Sequence, residues 1–214
     1  MEISTTNMRR MMLGGLGAAV LAPPLVLHAM NSKAVPPLPG TPAILPPGAL
    51  GQTAYFPNSI FTTHEGRKVR FYDDLVKDKM VIINMLLVTC RDGICPLMTA
   101  NLHAVQKALG NRIGKDIFMY SITIDPEYDT DLILKSYAET FDVGKGWSFL
   151  TGPKADTEII RRKLGFSSLD PLIDKDPIQH TGMIRIGNDK LNRWCMMPGM
   201  LSPKQIAYAV QNLS

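Results

Sequence analysis

The stretch MVIINMLLVTCRDGICPLMTANL, Met80 to Leu102, decides how this chain is read. Met80 to Val88 is an apolar run of strand length. Such a run is expected in a sheet covered on both faces. Two cysteines follow, Cys90 and Cys95, with Arg91, Asp92, Gly93 and Ile94 between them. Pro96 suits the first turn of a helix. Leu97, Met98, Leu102, Val105 and Leu109 then recur at spacings of three and four and give that helix an apolar face. Gly110 is placed to stop it. The order is buried strand, cysteine pair, helix.

That placement has chemical consequences. A helix N-terminus carries partial positive charge and N–H groups with no intrahelical partner. Both favour thiolate over thiol. Thiolate attacks disulfides, and it also binds soft metals. The four-residue loop can close a disulfide or fold around a metal, and Gly93 gives it access to a left-handed conformation. The spacing by itself leaves both uses open.

Outward from this stretch, Ser59–Thr62 and Lys68–Tyr72 read as a hairpin around a His64-Glu65-Gly66 turn, in which His64 is expected to be solvated. Ile117–Ile124 is a second buried strand. Asp129 or Thr130 can cap a helix reaching about Phe141. A further helix covers about Ala155 to Leu164. His180–Ile186 and Leu191–Met197 form a hairpin around Gly187-Asn188-Asp189, and Ser202-Pro203 opens a last helix. Strands alternating with helices imply an α/β fold with parallel strands in the middle of the sheet.

The 214 residues carry a net charge of +4 and about 45% apolar residues, enough for one sizeable core plus an extension. No block of five or more like charges and no basic stripe interleaved with aromatics is present, which argues against nucleic-acid binding. The three cysteines fit one functional pair plus one more thiol. At the N-terminus, Arg9-Arg10 precede an uncharged stretch from Met11 to Leu27, the pattern of an export signal of twin-arginine type. The rival is a membrane anchor, which needs roughly 20 apolar residues and would be broken by Pro23-Pro24. Residues 1–34 are therefore expected to be a signal peptide or anchor. Residues 35–51, with Pro36, Pro37, Pro39, Pro42, Pro46 and Pro47, are expected to be an extended linker. The folded domain is expected over 52–214. Export places it in a periplasmic or other extracytoplasmic compartment, where a disulfide can persist.

Beyond the expected signal, the histidines are His64, His103 and His180. His180 begins a strand after a long loop, the kind of strand end at which sites collect. Two thiolates and an imidazole suit copper or zinc.

Several blocks in order resemble the Sco/SenC copper chaperones, thioredoxin-like proteins held at a membrane. FTTHEGRKVRFYDD (Phe61–Asp74) resembles that family's opening hairpin, and TCRDGICP its cysteine motif. FMYSITIDPEYDT (Phe118–Thr130) resembles its strand with a DPExDT segment. GWSFLTG (Gly146–Gly152) resembles a later strand, and HTG at His180 its metal-binding histidine. The resemblance spans about Phe56 to Ser214. It implies a thioredoxin-like fold, a central mixed sheet flanked by helices with an N-terminal β-hairpin. It also implies a copper ion held by Cys90, Cys95 and His180, with Cys90 and Cys95 as a redox pair. The chain is similar to a branch with four residues between the cysteines, where three are usual. Gln179 stands before the histidine where the family often has Asp.

The function so implied is a metallochaperone rather than an enzyme. It supports assembly of the copper centre of cytochrome c oxidase, with a respiratory oxidase subunit or other cuproenzyme and a thiol reductant as partners. The alternative is a thiol–disulfide oxidoreductase with no stable metal, in which Cys90 attacks and Cys95 resolves. A purely structural disulfide is least attractive, because so short a loop removes little chain entropy. Asp125, Glu127 and Asp129 are read as helix-opening carboxylates offsetting the dipole. Met196, Met197 and Met200, which surround Cys195, are read as core filler, and the cluster is not assigned to the site.

Overall fold

The computed structural model describes residues 55–175 and 182–214. The expected signal, the proline-rich linker and His180 lie outside the described residues. Seven strands form one sheet: β1 (Ile60–Thr63), β2 (Lys68–Arg70), β3 (Met80–Leu86), β4 (Ile117–Thr123), β5 (Trp147–Thr151), β6 (Met183–Asn188) and β7 (Arg193–Pro198). Their order is β2-β1-β5-β4-β3-β6-β7. The helices are α1 (Ile94–Leu109), α2 (Asp131–Thr140), α3 (Lys154–Lys163), α4 (Pro171–Lys175) and α5 (Pro203–Leu213).

β3 explains the architecture. It pairs parallel to β4 and antiparallel to β6, so both its edges are occupied. Every residue of it is buried. Side chains alternate along a strand. Met80, Ile82 and Leu86 join Met98, Leu102 and Val105 of α1 and Ile206 and Val210 of α5 in one cluster. Val81, Ile83 and Met85 join Phe71, Leu75, Ile160 and Leu164 in a second cluster on the other face. Each such aliphatic side chain stabilises the fold by about 1.5–3 kcal/mol. Asn84, 2% exposed, is the polar exception. It accepts the Ser121 hydroxyl at 2.7 Å, and Trp147 Nε1–H donates to that same oxygen at 2.9 Å. The strand's buried polar group is thereby satisfied.

The two hairpins sit at opposite edges, as the mixed pattern implies. At the β6–β7 edge the strands approach closely. A methyl group at Gly187 would lie 2.1 Å from the Trp194 ring, so only glycine fits. At the other edge, the strand expected over Lys68–Tyr72 stops at Arg70. Phe71–Val76 turns into a π-helical segment, which buries Phe71, Tyr72, Leu75 and Val76 together. That burial outweighs the β-propensity of the aromatic residues.

His64 is not a solvated turn residue. Its N–H donates to Phe149 O at 2.8 Å, and its Nδ1 accepts the Phe149 N–H at 3.1 Å. Its ring meets Phe149 edge-on at 5.9 Å. Burial lowers its pKa below 6.5, with Glu65 opposing. The folded state thus binds this proton less readily than the unfolded state. The stability His64 contributes is complete above pH 6.5 and is lost as pH falls toward its lowered folded value. Urea midpoints at about pH 7.5 and about pH 5.5 should therefore differ more in the wild type than in His64→Gln. Equal differences in the two proteins would contradict this packing.

Candidate functional site

After β3 leaves the sheet, the chain turns once before α1. Cys90 N–H donates to Leu87 O at 3.3 Å and closes that turn. Gly93 then takes φ 74°, ψ 2° as the helix N-cap, a left-handed conformation that favours glycine. α1 thus begins at Ile94, which places Pro96 in its first turn.

The first N–H groups of α1 find partners inside the loop. Ile94 N–H donates to Asp92 Oδ1 at 3.0 Å. Cys95 N–H donates to Cys90 Sγ at 3.3 Å. Cys90 Sγ–H in turn donates to Asp92 Oδ1 at 2.7 Å. The loop wraps so that its first cysteine sulfur receives an N–H from its second cysteine. Both cysteines are in the thiol form. Their positions differ sharply, because Cys90 is half-exposed and Cys95 is 0% exposed.

The Cys95 thiol is pushed well above its ordinary pKa. Burial is the main cause, and the hydrogen bond to Cys90 adds to it. The Leu87 backbone N–H opposes, while the nearby acidic Cys90 and Asp92 reinforce the rise. Two adjacent thiolates are therefore unfavourable unless a cation joins them. A soft cation would supply that charge and match the donors.

A second layer holds α1 from behind. Thr99 Oγ1 donates to Cys95 O at 2.9 Å. With its proton used there, Thr99 Oγ1 accepts from Tyr137 OH at 3.0 Å. Tyr137 is pushed up to about 12, chiefly by burial, with Cys95, Cys90 and Asp129 adding to the rise. Asp129 lies deeper than a helix-opening carboxylate. It is 0% exposed, and Oδ2 accepts from Val88 N–H at 3.2 Å and from Thr123 Oγ1 at 2.5 Å. Burial raises its pKa, against the Thr123 and Val88 hydrogen bonds. The helix cap is Thr130, which accepts the Ile133 N–H.

His180 lies outside the described residues, so its expected place beside the cysteines is untested. The strand that follows it begins near them. A Cβ on Gly182 would come within 3.8 Å of Ile94 Cγ2. Gly182 O accepts the Gly199 N–H at 2.9 Å. Asn101 of α1 donates to Gly199 O at 2.7 Å and to Leu201 O at 2.8 Å, which ties this corner to the cysteine helix. On the other side of the 176–181 segment, Asp174 of α4 pairs in a fork with Arg161 of α3 at 2.8 Å for each contact. That contact holds Asp174 down at about 2.

Among the described residues no three His, Cys, Asp or Glu side chains form a group able to hold a metal ion. His103 is half-buried, with a buried Nδ1 that makes no hydrogen bond to the described residues. Cys195 sits half-buried on β7, its thiol pushed up by burial against the effect of Arg185. Also among the described residues, no helix is long and apolar enough to cross a membrane.

A mixed sheet with a cysteine pair between its central parallel strand and the following helix defines the thioredoxin-like class. Within that class, residues 53–214 match the SCO1/SenC family model, and the chain belongs to the SCO1/SenC family. The copper-bound ScoI of Bradyrhizobium japonicum is similar to it at 23% identity and TM-score 0.58, covering 73% of this chain and 97% of that one. A SCO1/SenC family lipoprotein from Bacillus anthracis aligns at 22% identity and TM-score 0.60, covering 72% and 91% respectively. BsSco, a cytochrome c oxidase assembly protein of the Sco family with a disulfide switch, aligns at 21% identity and TM-score 0.59, covering 74% and 93%. No curated protein sequence matches the chain.

The sequence reading did not single out Asp92, the Leu87–Val88 backbone or Asn101. Asp92 was detectable as an Asp placed just before a helix-starting glycine, where its short side chain can reach an early N–H.

Iodoacetamide at about pH 8 should modify Cys90 at least about tenfold faster than Cys95, because Cys95 is covered and held as thiol. Peptide mass spectrometry of time points reads the order. Equal rates would contradict the asymmetry of the pair.

Proposed function

We propose that this protein is an exported or membrane-associated copper metallochaperone supporting assembly of the copper centre of cytochrome c oxidase. Its domain, 52–214, stands on the far side of a linker, 35–51, from a signal or anchor, 1–34. Cys90, Cys95 and His180 bind the copper, and Cys90 and Cys95 are also its redox pair. The observation that carries the reading is the Cys95 N–H bonded to Cys90 Sγ at 3.3 Å across the four-residue loop. It draws both cysteines to one helix N-terminus, where thiolates and a soft cation stabilise each other. The copper-bound state of the similar ScoI supports the choice of metal.

Gly182, beside Ile94, supports the third ligand. Two residues of chain span at most about 7 Å, so the sequence position of His180 is compatible with a ligand in this corner. Two thiolates satisfy Cu(I), and the imidazole completes a site for Cu(II). A disulfide partner takes two electrons and two protons from the thiols, opening to its own dithiol as Cys90 and Cys95 form a disulfide that no longer binds copper. A dithiol partner returns both electrons and both protons. The disulfide switch of the similar BsSco favours this cycle. It also keeps thiol–disulfide exchange as the second reading, in which the same pair acts without metal.

Copper should bind the reduced protein one to one, more weakly as pH falls, because the ligands must lose protons. In competition titrations Cys90→Ser and Cys95→Ser should each lose more than the roughly 10–100-fold that removal of an outer-shell partner costs. His180→Ala should weaken Cu(II) more than Cu(I). Unchanged affinity in Cys90→Ser or His180→Ala overturns the ligand assignment. Turnover of a disulfide substrate by metal-free protein that binds no copper would favour the second reading.

A further inference from the structure

One peptide group behind the cysteine loop is hydrogen-bonded at both ends. Its carbonyl, Leu87 O, accepts the Cys90 N–H at 3.3 Å. Its N–H, that of Val88, donates to Asp129 Oδ2 at 3.2 Å. Cys90, so placed, accepts the Cys95 N–H on its sulfur at 3.3 Å. Asp129 therefore reaches Cys90 through one peptide group, and the Cys95 N–H through Cys90, without touching either cysteine side chain.

Asp129 is an expensive residue to keep for helix capping alone. It is 0% exposed. Its Oδ1 has no hydrogen-bond partner among the described residues. A buried carboxyl with an unmet oxygen costs stability. The helix does not require it, because Thr130 already accepts the Ile133 N–H. Thr123 shares Oδ2 with Val88 and fixes the carboxyl group from the β4 side. A buried group that is incompletely satisfied and is redundant for capping needs another explanation.

We propose that Asp129 is a positioning residue for the cysteine pair, holding the Leu87–Val88 peptide so that Leu87 O keeps Cys90 where its sulfur accepts the Cys95 N–H, and thereby setting how readily the pair is oxidised. This rests on the reading of Cys90 and Cys95 as a redox pair and is independent of copper. An N–H aimed at sulfur favours the electron-rich thiol or thiolate over the disulfide, which is the poorer acceptor. With Asp129 in place, the Cys95 N–H stays on the Cys90 sulfur and the reduced pair is favoured. Without it, the peptide is released and the disulfide gains.

The test equilibrates the full-length protein with dithiothreitol. The reagent gives up two electrons and two protons and closes to its cyclic disulfide as the Cys90–Cys95 disulfide opens to two thiols. Asp129→Ala should shift this equilibrium about tenfold toward the protein disulfide, the effect of about one hydrogen bond. Asp129→Asn keeps an oxygen for Val88 N–H and should restore most of the wild-type value. Thr123→Val removes the other bond to the carboxyl group but leaves Val88 its acceptor, so it should lower the urea midpoint and shift the redox equilibrium less than Asp129→Ala does. Should Asp129→Ala fail to fold, Asp129→Ser, too short to reach Val88, takes its place with the same expected shift.

A wild-type equilibrium in Asp129→Ala or Asp129→Ser overturns the proposal. So does a shift in Thr123→Val as large as theirs, which would make the effect one of general packing. A parallel copper titration of the wild type separates the two readings. A redox shift in a protein that binds no copper leaves Asp129 in its role and removes the metallochaperone. Copper binding with no redox shift does the reverse.

Discussion

The hydrogen bond from Cys95 N–H to Cys90 Sγ is the interaction on which this site depends. It forms only because the chain leaves a strand buried on both faces and enters a helix within one turn. β3 is fixed by neighbours on both edges and by packing on both faces. α1 is fixed by Met98, Leu102 and Val105 against the same sheet. The loop between them has little freedom, and Gly93 absorbs the sharpest bend. The rigid part of the fold thus brings both cysteines to the helix's positive end, with one sulfur accessible and the other covered.

That asymmetry divides the work of the pair. Cys90, half-exposed, can meet a partner's sulfur or metal. Cys95, covered and backed by Thr99 and Tyr137, stays with the core. Asp92 accepts from both the Cys90 thiol and the Ile94 N–H, so it holds the loop in a defined path. A four-residue loop is therefore compatible with a compact pair.

Much of this was legible in the sequence for identifiable reasons. β3, β4 and α1 follow from an apolar run, a second apolar run and a three-and-four spacing, patterns set by burial. The Gly110 stop and the Ser202-Pro203 start were visible because those positions have local chemistry. Phe71 and Tyr72 were misread because a β-favouring pair was recruited into a helical segment by the second core. His64 was misread because only the neighbouring strand reveals the Phe149 N–H aimed at its ring. Asp129 had the same difficulty, since its partners Val88 and Thr123 are brought to it by the sheet. Local signals reported the elements, and contacts between distant strands decided what individual polar side chains do.

The central claim is that Cys90 and Cys95 act as one two-sulfur donor site across their four-residue loop. X-ray absorption of the reduced full-length protein carrying one equivalent of Cu(I) tests it most directly. The account predicts a copper first shell dominated by sulfur, which loses sulfur in both Cys90→Ser and Cys95→Ser and keeps it in Cys195→Ser. A first shell of nitrogen and oxygen alone, or one that loses its sulfur only in Cys195→Ser, would contradict it.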